Sequence, residues 1–250
     1  MHPAITLAIL AIIIAGGVWL GIFLLLRRKR RGAYRNAKSI KVNAKWWRDQ
    51  EEKHGELLYL ALGDSAAQGV GASQPHNGYV GTIAAHLRRT TSRSVRVVNL
   101  SVSGARLREA LATQVPQLAG LNPDVVTVEI GANDIRSFNH ARFGKEFREL
   151  LDALPPGTIV GEVPCFFFGT AEKNVRLANA IIHRAAREHG FPIAPLYAAT
   201  KKQGAARVAF NQSSADFFHP NDRGYRVWAS AFLPLVDRAV REPAKVGDPA

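Results

Sequence analysis

The amino-acid sequence predicts an α/β fold, a central parallel sheet of about five strands with helices on both faces, preceded by one transmembrane helix. Three observations lead there. Short apolar runs alternate with longer helix-like segments from Glu56 onward, the first three runs each end at glycine or asparagine, and residues 4–26 carry no charge. Strands that alternate with helices are joined by crossovers, which makes them parallel and puts helices over both faces of the sheet.

Taken in order, the first element is the uncharged run Ala4 to Leu26, 23 residues rich in Ile and Leu. At about 1.5 Å per residue a helix of this length reaches roughly 34 Å, enough to cross a hydrocarbon core of about 30 Å. A cleaved secretory signal would want positive charge before the apolar stretch, a shorter core and a small-residue cleavage site after it. Here only Met1-His2-Pro3 precedes the run, and Arg27-Arg28-Lys29-Arg30-Arg31 follows at once. An uncleaved anchor is therefore expected in the cell membrane, with the positive flank and the domain behind it on the cytoplasmic side.

Between Arg27 and Arg48 stand ten Lys or Arg and no Asp or Glu, so ten of the formal +13 lie in this stretch and +3 remains elsewhere. Beside a membrane helix such a stretch fits anionic lipid headgroups or topology determination better than nucleic acid, and no nucleic-acid partner is expected. The chain thus divides into an anchor (1–26), a basic linker (27–55), a globular domain (56–242) and a short tail (243–250). Two readings stay open for Trp46-Trp47: an amphipathic membrane-surface helix over 37–50, or packing of both rings on the domain.

Within the domain, Leu57 to Leu62 reads as a buried strand ending at Gly63, followed by a helix over Tyr79 to Arg89. The pairs continue as strand Val95 to Leu100 with helix Leu107 to Leu118, and strand Val125 to Ile130 with helix Phe143 to Leu154. Strand Thr158 to Val163 precedes a helix over Ala171 to His189. Strand Pro192 to Tyr197 then leads through a loop to a helix over Asp222 to Val240, with Asp222 as its N-cap.

The strand ends carry the chemistry. Ser65 follows the first strand in Gly63-Asp64-Ser65, and Asp216-Phe217-Phe218-His219 stands about 150 residues later. A serine hydroxyl is a poor nucleophile at neutral pH, so it needs an imidazole to take its proton and a carboxylate to hold that imidazole in the right tautomer. His219 and Asp216 supply that pair if the loop between them turns back. Alone, Gly-Asp-Ser is equally a helix N-cap. Two further strand ends add donors for a developing oxyanion: Asn99-Leu100-Ser101-Val102-Ser103-Gly104 and Ile130-Gly131-Ala132-Asn133-Asp134.

In this order the four segments resemble those of the SGNH hydrolase family, the GDSL-type esterases and lipases, over roughly residues 57–240. The resemblance implies a flavodoxin-like three-layer fold, Ser65 as nucleophile, His219 as base and Asp216 as its orienting carboxylate. It also implies an oxyanion hole made of the Ser65 and Gly104 N–H groups and the Asn133 amide, with Asp64 a structural residue outside the triad. Gly104 is followed by Ala105-Arg106-Leu107 where the family often has a small hydroxylated residue, a departure that bears on substrate preference more than on catalysis. Carboxyl esters, thioesters, acylated sugars and lysophospholipids all fall within what the resemblance permits.

The expected protein is then a membrane-anchored serine esterase whose partner is an acyl-ester substrate. The reading from another class is a catalytically silent, membrane-tethered domain that binds an acylated ligand or a partner. No cofactor or metal is expected: no His-Glu-x-x-His or paired-cysteine spacing occurs, and Gly69-Val70-Gly71 lacks the dinucleotide fingerprint, serving instead a close approach of the loop to substrate. The single Cys165 reads as a small buried hydrophobe. Of the other histidines His140, near Asn133-Asp134 and Ser137, is the nearest rival base. Phe166-Phe167-Phe168 reads either as an acyl-pocket lining or as a helix-packing cluster.

Overall fold

The computed structural model describes residues 3–241; the tail expected at 243–250 lies outside the described residues. Five parallel strands form one sheet in the order β2-β1-β3-β4-β5: β1 (Leu57–Gly63), β2 (Val95–Asn99), β3 (Val125–Glu129), β4 (Ile159–Gly161) and β5 (Ile193–Ala194). This is the flavodoxin-like order, in which the chain reverses direction across the sheet between β1 and β3. The register runs Leu57 against Val95 on one side of β1 and Tyr59 against Val125 on the other.

Side chains alternate across β1, as a strand with a period of two requires. Leu60 and Leu62 enter a core beneath α3 (Leu107–Thr113), α4 (His140–Asp152) and α5 (Gly169–Glu188), with Phe143, Phe147 and Ile182. Leu57, Tyr59 and Ala61 enter the opposite core beneath α2 (Tyr79–Thr91) and α8 (Asp222–Arg241), where Tyr79 stacks on Phe232 with ring centroids 5.4 Å apart. Between β5 and α8 come α6 (Leu196–Lys201), the single turn α7 (Ala205–Arg207) and a π-helical turn at Val208–Gln212.

Three expectations need correction. Residues 27–51 are no linker: α1 is one helix, Pro3–Glu51. Helix-forming Lys, Arg and Ala fill this stretch, and its inner face is packed; Trp47 and Asn43 are buried and Trp46 half-buried. The tryptophans therefore pack on the domain rather than on a surface. The last strand stops at Ala194, because Pro195 introduces α6 at Leu196. The helix expected over Leu107 to Leu118 breaks at Gln114, since Pro116 disfavours helical geometry before it and lacks an N–H, and a 3₁₀ turn (Val115–Leu118) follows.

Candidate active site

Ser65, Asn133 and His219 meet at the carboxyl edge of the sheet, where β1 and β3 end side by side. Ser65 is no helix N-cap. The chain after it folds through tight turns, Gly69 N–H donating to the Ala66 carbonyl at 3.0 Å and Val70 N–H to the Ser65 carbonyl at 3.0 Å. Its Oγ instead lies 3.0 Å from His219 Nε2.

His219 is brought there by the loop before α8. Phe217, at the apex between Asp216 and His219, adopts φ of 57°, a left-handed conformation costly for a side-chain-bearing residue, and this turns the chain back within three residues. His219 Nδ1 lies 2.7 Å from Asp216 Oδ2. An ionised carboxylate only accepts, so Nδ1 carries the proton and Nε2 accepts from the Ser65 hydroxyl. The loop after Ser65 closes against this segment at Gly71, where a Cβ would lie 2.5 Å from the Pro220 carbonyl and 2.8 Å from His219 Cβ. That close approach, toward the histidine rather than toward substrate, is what the second glycine of Gly69-Val70-Gly71 serves.

Asp216 is buried, yet five donors surround it. Oδ1 accepts from Ser214 Oγ (2.7 Å) and from the N–H groups of Phe218 and His219 (3.0 Å each). Oδ2 accepts from His219 Nδ1 (2.7 Å) and from Asn36 Nδ2 (2.7 Å). Burial alone would raise its pKa, but the hydrogen bonds, led by those of His219, Phe218 and Ser214, hold the carboxyl well below the usual carboxylate range. Asn36, on α1, is a site residue that sequence reasoning missed. It lies 180 positions from Asp216 within a basic helical stretch, and its contact arises only from packing.

The expected oxyanion donors are placed unevenly. Ser65 and Asn133 line the cavity. Gly104 is exposed, with φ of 81°, on a loop tied to the site through Gln68 Nε2 donating to the Ser101 carbonyl (2.8 Å) and Asn133 Nδ2 to the Ala105 carbonyl (3.0 Å). Asn133 also donates to Asp64 Oδ2 at 2.8 Å. Asp64 is buried below Ser65; burial pushes its pKa up to about 6 against the opposing effects of the Ala66 N–H and His219. His140 starts α4 and lies outside the cavity lining. Asp222 is not the cap of α8: Asn221 Oδ1 accepts from the N–H groups of Arg223 and Gly224, while Asp222 accepts from Ser73.

A cavity of about 380 Å³ opens beside Ser65, walled mostly by apolar groups including Phe166, Phe167, Phe168, Phe217, Val227 and Trp228. Glu172 of α5 fixes the phenylalanine loop, its Oε2 accepting from the N–H groups of Phe166 (3.0 Å) and Phe167 (3.1 Å). Cys165 is buried beside Glu172, and burial first, then that carboxylate, raises its thiol pKa. No group of His, Cys, Asp and Glu suited to a metal occurs among the described residues.

Solved structures with this fold include LAE5, described as an alpha/beta hydrolase enzyme from the metagenome of Lake Arreo, Spain, at 24% identity and TM-score 0.61, covering 76% of this chain and 99% of that one. TesA matches at 20% identity and TM-score 0.61, covering 73% and 99%. Axe2, an acetylxylan esterase from Geobacillus stearothermophilus, matches at 21% identity and TM-score 0.58, covering 72% and 94%. At these identities the likeness concerns the fold. No protein of curated function matches the chain. The GDSL-like Lipase/Acylhydrolase family, however, matches residues 61–227, from the strand that delivers Ser65 to the helix behind His219, and the chain belongs to that family of ester-bond hydrolases.

Proposed function

We propose that this protein is a membrane-anchored serine esterase that cleaves carboxylic esters through an acyl-enzyme on Ser65. The observation that carries the reading is the continuous hydrogen-bonded line Ser65 Oγ, His219, Asp216 at the mouth of an apolar cavity. Ser65 Oγ attacks the ester carbonyl while its proton passes to His219 Nε2, and the imidazolium that forms is stabilised by Asp216. The tetrahedral oxyanion is met by the Ser65 and Gly104 N–H groups, neither of which has a hydrogen-bond partner among the described residues. The Asn133 amide joins them by turning a hydrogen from the neutral Ala105 carbonyl to the charged oxygen, a stronger acceptor.

His219 then protonates the departing alcohol oxygen, the C–O bond breaks, and Ser65 is left acylated. Water enters, gives a proton to His219, attacks the acyl carbon, and releases the carboxylic acid as Ser65 regains its proton. The phenylalanine-walled cavity receives the acyl group. Catalytic variants of Axe2 at a serine and at an aspartate have been described, consistent with a serine-dependent route in a protein of this fold.

The anchor reading rests on one helix apolar enough to cross a membrane, with mean hydropathy 2.8 in its most apolar window. The basic flank after it supports reading the catalytic domain as cytoplasmic, since positive flanks stay on that side. Treatment of the full chain in detergent with a fluorophosphonate, followed by peptide mass spectrometry, tests the nucleophile. Modification at Ser65, abolished in His219→Ala, supports the reading, and an unmodified Ser65 contradicts it.

A further inference from the structure

We propose that Asn36, on the helix that continues from the apolar N-terminal run, is a positioning residue for the Asp216–His219 pair. Its Nδ2 donates to Asp216 Oδ2 at 2.7 Å, the same oxygen that holds His219 Nδ1, and to Ser214 Oγ at 2.9 Å. The contact is built rather than incidental, because one face of α1 is fitted to this loop turn by turn. One turn before Asn36, Gly32 is buried so closely that a Cβ would lie 2.3 Å from the Ala215 carbonyl carbon and 2.5 Å from Asp216 N. A turn earlier, the Arg28 guanidinium lies 5.4 Å from the Phe217 ring centroid. Further along the same face, Asn43 Nδ2 (3.0 Å) and Trp47 Nε1 (3.1 Å) both donate to the Gln68 carbonyl, in the loop that carries Ser65. One helix thus clamps both the nucleophile loop and the Asp-His loop.

The proposal rests on the esterase reading, and its test separates the two. The full chain in detergent is assayed on a water-soluble short-chain ester as wild type, Asn36→Ala and Ser65→Ala. The expected result for Asn36→Ala is a fall in kcat of about tenfold, with KM unchanged and a fall in melting temperature too small to unfold the chain at the assay temperature. An unchanged kcat, or a fall that unfolding at the assay temperature accounts for, overturns the positioning role. Wild-type chain that shows no Ser65-dependent turnover overturns the esterase reading, and the proposal with it.

A separate observation, the direction of α1 along the sheet, leads further. We infer that the catalytic edge faces the bilayer and that Phe168, Phe210 and Phe218 form its lipid-contact rim. Arg28, on Phe217, stands two residues past the apolar run, a rise of about 3 Å, within a headgroup layer about 5–7 Å thick. Glu51, at the far end, stands about 37 Å past the run, and its carbonyl accepts from Arg96 Nε near the start of β2, at the opposite edge of the sheet. Phe168 is 73%, Phe210 71% and Phe218 59% exposed. Phe168 and Phe218 border the cavity, and Phe210 lies edge-on to Phe217 with centroids 6.5 Å apart. Arg27 to Arg31 supply the charge that anionic headgroups complement. The substrate class that fits is an ester whose acyl chain resides in the membrane and enters past this rim.

This too rests on the esterase reading. The full chain is reconstituted in vesicles of phosphatidylcholine and phosphatidylglycerol, and Phe210→Asp, outside the cavity lining, is compared with wild type on two esters. Turnover of a long-chain ester dissolved in the bilayer is expected to fall about tenfold or more, with a water-soluble short ester unaffected within about twofold. Equal effects on both esters, or a wild-type rate on the bilayer ester, overturn the inference; either result would leave the rim to a second copy or a protein partner. A wild-type chain inactive on both esters removes the esterase reading itself.

Discussion

Asn133 donates to Asp64 Oδ2 at 2.8 Å, so the side chain expected to meet the oxyanion is held by the residue immediately before the nucleophile. Its other amide hydrogen goes to the Ala105 carbonyl at 3.0 Å, on the loop that carries Gly104. The two ends of the proposed oxyanion hole are therefore linked through one amide before any substrate arrives. Asn133→Ala is expected to cost on the order of a hundredfold in kcat with little change in KM. Asp64→Ala, which frees Asn133 to rotate, should lose activity to a similar order, whereas Asp64→Asn keeps an acceptor and should lose less. Steady-state kinetics on a soluble ester read all three.

A second expectation concerns Gly32. A side chain there would collide with the backbone of Ala215 and Asp216. Gly32→Val should lever α1 from the Asp-His loop, lowering stability by about 1–3 kcal/mol and kcat by tenfold or more. Gly21→Ala, where a Cβ meets nothing within 4 Å, is the control and should match wild type. Thermal unfolding and ester turnover of the full chain in detergent measure both.

Burial sets a pH dependence through Glu129, the last residue of β3. Neither of its carboxylate oxygens has a partner among the described residues, and desolvation, helped by nearby Asp64, raises its pKa well above 4.5. A carboxyl whose folded pKa is raised contributes stability that is present below its unfolded pKa and is lost as pH rises toward the folded one. Glu129→Gln, which mimics the neutral acid, should equal wild type near pH 4 and become progressively more stable than it above that. Denaturant midpoints taken across the pH range give the curve, and parallel curves for the two proteins would contradict it. Asp216 works in the opposite sense: its depressed pKa contributes stability above 3.8 that is lost as pH falls.

Cys165 lines the same cavity as Ser65 but is expected to be chemically idle. Its thiol is buried and its pKa raised, which leaves little thiolate at neutral pH. Cys165→Ala should keep turnover within a few fold, and iodoacetamide should inhibit slowly. Rapid inactivation by that reagent, absent in Cys165→Ala, would show a reactive thiol.

Much of this was legible because local chemistry and global fold agree. The apolar runs before Ser65, Leu100 and Asn133 are β1, β2 and β3, and the three-residue spacing of Asp216 and His219 does close into a hydrogen-bonded pair. What the sequence concealed depends on packing between distant segments. Asn36 looks like one polar residue among lysines and arginines; nothing local marks it as a partner of Asp216. The basic stretch read as a linker because its charge dominated its inner face, where Gly32, Asn36, Asn43 and Trp47 recur at helical spacing. A chain shortened to begin near Trp46 would therefore lose Gly32 and Asn36 along with the apolar N-terminal run. At the cap of α8, Asn221 and Asp222 are both suited by type; Asn221 takes the N–H groups of Arg223 and Gly224, while the Asp222 carboxylate is engaged by Ser73 and Asn77, from a segment about 150 positions away.

The central claim is serine-dependent ester hydrolysis, and the most direct measurement is turnover of p-nitrophenyl esters of increasing acyl length by the full chain in detergent, beside Ser65→Ala and His219→Ala. The account predicts turnover by wild type that falls by at least about a thousandfold in each variant, with a preference for acyl groups that fill the phenylalanine-walled cavity. Equal rates in wild type and Ser65→Ala, or no wild-type turnover on any ester, would contradict it.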